Sequence, residues 1–217
     1  MITARLGARG ELFVVAPVRG LTLEARKAVA AIAEFAPAAL GVGLSPEELQ
    51  SLTEYFVATE AEPVVPLTGN ETSEVRGLVR FGEARVPNPS VVEALRFASA
   101  RALAVEPLDP SDERYAALFA EHIGYLELVR RTVRERKVAR NPPTPSSPDE
   151  FALAWDAEIA GGAGSRRFAE ARDQHLADAA RRLAAARGRV AVLIDRERFD
   201  SVRPLLERPD PEALADA

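Results

Sequence analysis

Cysteine is absent from the 217 residues. That removes disulfides, thiol nucleophiles and thiolate metal sites from consideration. Histidine is almost as scarce: His122 and His175 are the only two, so a three-histidine zinc site cannot form within one chain. No apolar run approaches the roughly 20 residues that a spanning helix needs, and the opening MITARLGARGELF has no apolar signal core. The expected location is therefore the cytoplasm, with no membrane partner. Positive charge is in deficit, 28 Lys and Arg against 33 Asp and Glu for a net charge of -5, so no overall field draws nucleic acid. Asn, Gln, Met and Lys are few while Arg, Ala and Pro are common, a pattern that fits a thermophile or a high-GC genome equally.

What is present is ordinary for a globular chain, with 47% hydrophobic and 28% charged residues. The length suits one domain. ELFVVAP (11–17) is a β-branched and aromatic run between glycine and proline, and reads as a buried strand. A helix is predicted from Thr22 as N-cap to Ala36, with Ala25, Val29, Ile32 and Ala33 on one face and Pro37 closing it. AALGVGL (38–44) supplies a second strand and completes a βαβ unit. Ser45-Pro46-Glu47-Glu48 is a capping box opening a helix over 46–59, and Ser147-Pro148-Asp149-Glu150 repeats the device. Asn88-Pro89 opens another helix.

RALAVEPLD (101–109) and GRVAVLIDRERF (188–199) read as further strands. Between 62 and 87, EPVVPLT is a loop or edge strand and SEVRGLVRFG a short helix ended by Gly82. Two long helical patterns separate the last two strands. The first runs from Ser111 to about Ala139 with a stripe of Tyr115, Phe119, His122, Leu126, Val129 and Val133, and the second spans about Ser165 to Arg187. ARNPPTPSSP (139–148) links them as a stiff loop, followed by a short helix carrying Phe151, Trp155 and Ile159. The expected fold is a single α/β domain over 1–207, with a mostly parallel or mixed central sheet, helices on both faces, and a long helical insertion before the last strand. Residues 208–217 form a polar tail.

In a parallel sheet the carboxyl ends of the strands converge on one rim. That rim would collect Arg19 after the first strand, Glu106 and Asp109 near the third, and Asp195 and Glu197 near the last. Glu106 and Asp195 lie within the strand readings and are the stronger candidates, for acid/base work or for a hard cation. Asp109 and Glu197 read first as acidic starts of the following helices. The two histidines sit on apolar stripes and read as packed side chains, and no HExxH, GxGxxG, Walker loop or GxSxG elbow occurs. The basic runs at 80–85, 129–140 and 181–189 read as a solvated, ion-paired face, with Glu83 and Glu135 intervening in the first two and the net charge negative.

The order of pieces is similar to that of the TraB/PrgY family, which belongs with the Tiki proteases and the erythromycin esterases. The resemblance spans about 11–207. It rests on LFVVAPVRGLTLEARKAVAAIAEFAPAALGVGLSPEE, on PNPSVVEALRFASARALAVEPLD, and on RRFAEARDQHLADAARRLAAARGRVAVLIDRERFDSVRPLL. In that family the first strand runs into Gly-Thr-x-His, the second carries a glutamate, and the last ends in Gly-x-x-His. Here Ala16-Pro17-Val18-Arg19, Gly43 and Ile194-Asp195-Arg196-Glu197-Arg198 stand at those places, and only the pair Arg172-Asp173 matches. Guanidinium is no metal ligand, so the family's metal-dependent route is not expected here. What the resemblance implies is a non-catalytic relative, with no cofactor and no metal. It would bind a small anionic ligand or a protein partner at an altered cleft holding Arg19, Glu106, Arg172 and Asp195. Two alternatives stay open: a metal-assisted hydrolase using Glu106 and Asp195, and an interaction protein that homodimerises through the 111–139 helix.

Overall fold

A computed structural model describes residues 1–8, 10–54 and 69–208. Its centre is a five-stranded mixed sheet in the order β1-β2-β5-β3-β4, formed by β1 (Ile2–Ala8), β2 (Gly10–Ala16), β3 (Ala39–Val42), β4 (Ala104–Pro107) and β5 (Arg189–Leu193). β2, β5, β3 and β4 run parallel, and β1 adds an antiparallel edge, Ile2 opposite Ala16 through Ala8 opposite Gly10. This is the single-domain α/β arrangement that the sequence predicts, except that β1 was not among the expected strands. Its signal is present in ITARLGA, where Ile2, Ala4 and Leu6 turn to the core and Thr3, Arg5 and Gly7 away from it. Alternation with alanine and one leucine is a weak version of the strand pattern.

β2 and β5 are apolar on both faces because both are covered. Leu12, Val14, Val190 and Val192 pack under α8 (Ala163–Arg187) and α9 (Phe199–Glu207). Phe13, Val15, Ala191 and Leu193 pack under α1 (Thr22–Phe35) and α4 (Pro89–Ala100). Gly10 is a position only glycine can fill. Its φ is +135°, and a Cβ there would stand 2.5 Å from the Gly188 carbonyl oxygen.

Helix starts follow the sequence closely. Ser45 opens α2 (Pro46–Leu52) with the full capping box, its Oγ accepting from the Glu48 N–H at 3.1 Å while the Glu48 carboxylate accepts from the Ser45 N–H at 3.0 Å. Asn88 caps α4 and Ser147 caps α7 (Pro148–Ala160). The helix predicted over 46–59 is α-helical to Leu52, and residues 55–59 lie outside the described residues, as do EPVVPLT and residues 209–217 of the polar tail. α3 (Gly69–Leu78) and a 3-10 turn to Phe81 end at Gly82 as expected. Thr22 is the first helical residue rather than the N-cap. Its N–H is taken by the Glu83 carbonyl at 3.0 Å, which leaves no need for a side-chain cap from Leu21.

The helix predicted over 111–139 is two helices, α5 (Asp112–His122) and α6 (Tyr125–Arg140). Gly124 is costly inside a helix, by about 1 kcal/mol against alanine. Ile123 leaves the helical path to bury itself with Leu118 and Phe168. The predicted stripe is therefore divided: Tyr115 and Phe119 lie edge-on against Phe168 at 5.0 and 5.6 Å, whereas Leu126, Val129 and Val133 face solvent. α6 and α7 join the domain through a cluster of Val18, Leu21, Leu78, Val138, Phe151 and Trp155, so the helical insertion has no separate core. Among the described residues no helix is long and apolar enough to cross a membrane.

Candidate functional site

The connections leaving the strands decide where a cleft opens. The chain leaves β2 and β3 toward the α1/α4 face, while α9 follows β5 on the opposite face. β5 lies between β2 and β3, so the chain parts on both sides of its carboxyl end. Ligand crevices open where successive strands diverge in this way. A cleft of about 800 Å³ is found there, bordered by Pro17 and Arg19 after β2, Gly43 after β3, Asp109 after β4, and Asp195 and Glu197 after β5. α3 contributes Glu74, α7 contributes Trp155 and Asp156, and α8 contributes Arg172 and Asp173.

Of the four residues expected in the altered cleft, Arg19, Arg172 and Asp195 line it, as do Asp109 and Glu197 of the rim carboxylates. Glu106 does not. It sits within β4 opposite Gly41, below the rim that the strand's carboxyl end reaches at Asp109. Arg196 is also turned aside, buried between Asp149 at 3.0 Å and Asp200 at 3.1 Å. Neither histidine borders the cleft, and among the described residues no cluster of three or more His, Asp or Glu is arranged to hold a metal ion.

The arginines that do reach the cleft are already engaged. Arg19 donates to Glu74 through Nη2, at 2.9 Å from both carboxylate oxygens, and through Nε at 3.3 Å. Burial works against its charge, but the carboxylates of Asp195, Glu74 and Glu197 more than restore it. Arg172 donates to Asp109 at 2.6 Å. Arg198 donates to both oxygens of Asp109 at 2.8 Å and to Asp173 at 2.8 Å, and the Ser201 hydroxyl donates to the other Asp173 oxygen at 2.6 Å. Asp109 and Asp173 are themselves buried. The result is a ladder of alternating charges along the α8 side, and Asp109 is its centre rather than a helix start.

The carboxylates opposite are less well matched. Asp195 accepts one hydrogen bond from the Asn88 side chain, at 3.0 Å, and Asn88 in turn caps α4 through Ser90. Glu197 has no side-chain partner of opposite charge in hydrogen-bond contact among the described residues. Burial, reinforced by the negative charge of Asp195 and opposed by Arg19, pushes its pKa up to about 8. Asp156 is also raised, by burial first and by Asp173 next. From the sequence Glu197 reads first as an acidic helix start and Asn88 as a helix cap, and Asp156 carries no signal of a site role. Glu197 stands at a strand-to-turn junction where an acidic residue has a local reason to be, and Asp156 belongs to a helix brought over the rim by long-range packing. A comparison with protein-family models and with curated proteins returned no match, and the reading of the cleft rests on its own geometry.

Proposed function

We propose that this chain is a ligand-binding relative of the TraB/PrgY group whose cleft accepts a small organic cation bearing an amine or guanidinium group. The observation that carries the reading is the charge left over once the ion pairs are formed. Arg19, Arg172 and Arg198 are each matched by a carboxylate in contact, which leaves Asp195 and Asp156 on the cleft, with Glu197 joining them as it ionises near 8; Glu47, Glu48 and Asp112 also line it and enter no ion pair among the described residues. Carboxylates gathered along one cleft raise the cost of one another's charge, and a ligand cation relieves it. An anion would meet Asp195 and Asp156 as repulsion, and the arginine forks that would receive it are occupied. Binding rather than turnover is proposed because Arg19, Gly43 and Asp195–Arg198 stand at the motif positions of the resembling family. A hydrolase built on Glu106 and Asp195 finds no support, since Glu106 does not border the cleft.

Thermal unfolding with agmatine and spermidine, set against citrate and inorganic phosphate, tests the proposal. Stabilisation by the cations that is lost in Asp195→Asn supports it. Stabilisation by the anions alone, or by neither group at millimolar concentration, overturns it.

A further inference from the structure

α6 presents a surface that the cleft does not explain. Tyr125, Leu126 and Val133 are 78%, 69% and 60% exposed, and Val129 is close to half exposed. At 100° per residue these four fall on one outward arc, and Arg130, Arg136, Lys137 and Arg140, all exposed, fall on the same arc. The first turn of the arc is apolar, the next two pair a valine with an arginine, and the last is basic. Neither carboxylate of α6 lies on it. Glu127 turns inward to accept from the N–H groups of Gly164 and Ser165 at 3.0 and 2.7 Å, capping α8, and Glu135 is bound to Arg131 at 3.0 Å. Lys137 has Glu158 of α7 at 3.8 Å, and the three arginines of the arc enter no ion pair among the described residues.

We infer that this face of α6 docks onto an anionic lipid surface, with Tyr125, Leu126, Val129 and Val133 entering the headgroup region and Arg130, Arg136, Lys137 and Arg140 lying on the lipid charges. A cluster of Lys and Arg side chains on one exposed surface is what the negative potential of an anionic leaflet attracts, and the apolar side chains set among them add burial at the headgroup boundary. A second copy of the chain is a poor match for the arc, because a twofold contact gathers eight cations into one interface with no carboxylate of either arc to receive them. The net charge of -5 does not oppose the docking, because charges more than about 10 Å away are screened at physiological salt.

The test is co-sedimentation of the full chain with vesicles of phosphatidylcholine alone and of phosphatidylcholine mixed with phosphatidylserine. The expected result is at least roughly tenfold stronger partitioning onto the anionic vesicles. Partitioning should be reversed by high salt, and reduced both in the double variant Arg136→Gln, Arg140→Gln and in Leu126→Gln. These side chains are exposed, so unchanged circular dichroism confirms that each variant is folded. Equal partitioning onto both vesicles, no partitioning, or a concentration-dependent dimer in light scattering that Leu126→Gln abolishes would overturn the inference.

Discussion

Arg19 grips Glu74 with two of its nitrogens, at 2.9 and 3.3 Å, across 55 residues of chain. The pairing ties the loop after β2 to α3 and sets a permanent positive charge within electrostatic reach of Asp195 and Glu197. Arg19 is thereby an internal counterion that any bound cation must share the cleft with.

Replacing Arg19 by glutamine removes that competitor. The expected outcome is cation affinity increased roughly tenfold, the size of a charge interaction over about 12 Å at an effective dielectric near 20, with a small loss of stability. Titration calorimetry with agmatine measures it. Weaker cation binding in Arg19→Gln, or anion binding in the parent that the substitution abolishes, would contradict the assignment.

Glu197 makes stability depend on pH in a definite direction. Its native pKa stands above the unfolded value, near 8 against 4.5, so the native state holds the proton longer. Stability contributed by the protonated form is full below about 4.5, declines as pH rises, and is gone above about 8. Glu197→Gln keeps the shape without the charge, and should raise the melting temperature at pH 9 by a few degrees, on the order of 1–2 kcal/mol for a chain of this size. It should leave the value at pH 5 nearly unchanged. An equal shift at both pH values would show that the effect is not ionisation.

Asp109 holds Arg172 and Arg198 together on the α8 side of the cleft. Asp109→Ala leaves the half-buried Arg172 without its carboxylate and Arg198 with Asp173 alone, and chemical denaturation should show a loss of about 2–3 kcal/mol, below that of a fully buried pair. Arg172→Ala should cost less, since Asp109 retains Arg198. The reverse order would mean that the ladder is not centred on Asp109.

The buried framework was legible because local signals and packing agree. The runs at β2 and β5, the capping box at Ser45 and the cap at Asn88 each carry their own instruction. Three of the four expected cleft residues arrive at the cleft for the same reason, since strand ends and the helix bearing Arg172 are positioned by that framework. Local signals were silent where contacts far along the chain decide the outcome. Nothing near Arg19 names Glu74, and nothing near Asp109 shows that it will be shared by two arginines 63 and 89 residues away. The reading of 111–139 as one helix followed its apolar spacing past Gly124, where the burial of Ile123 against Phe168 prevails.

The most direct test of the cleft assignment is calorimetry with agmatine at pH 6 and pH 9, where its guanidinium stays charged, on the parent chain and on Glu197→Gln. Deprotonation of Glu197 on either side of about 8 predicts tighter binding at pH 9 than at pH 6 in the parent, and pH-independent binding in the variant. No heat of binding at either pH, or the same pH dependence in both proteins, would contradict a cation held at Asp195 and Glu197.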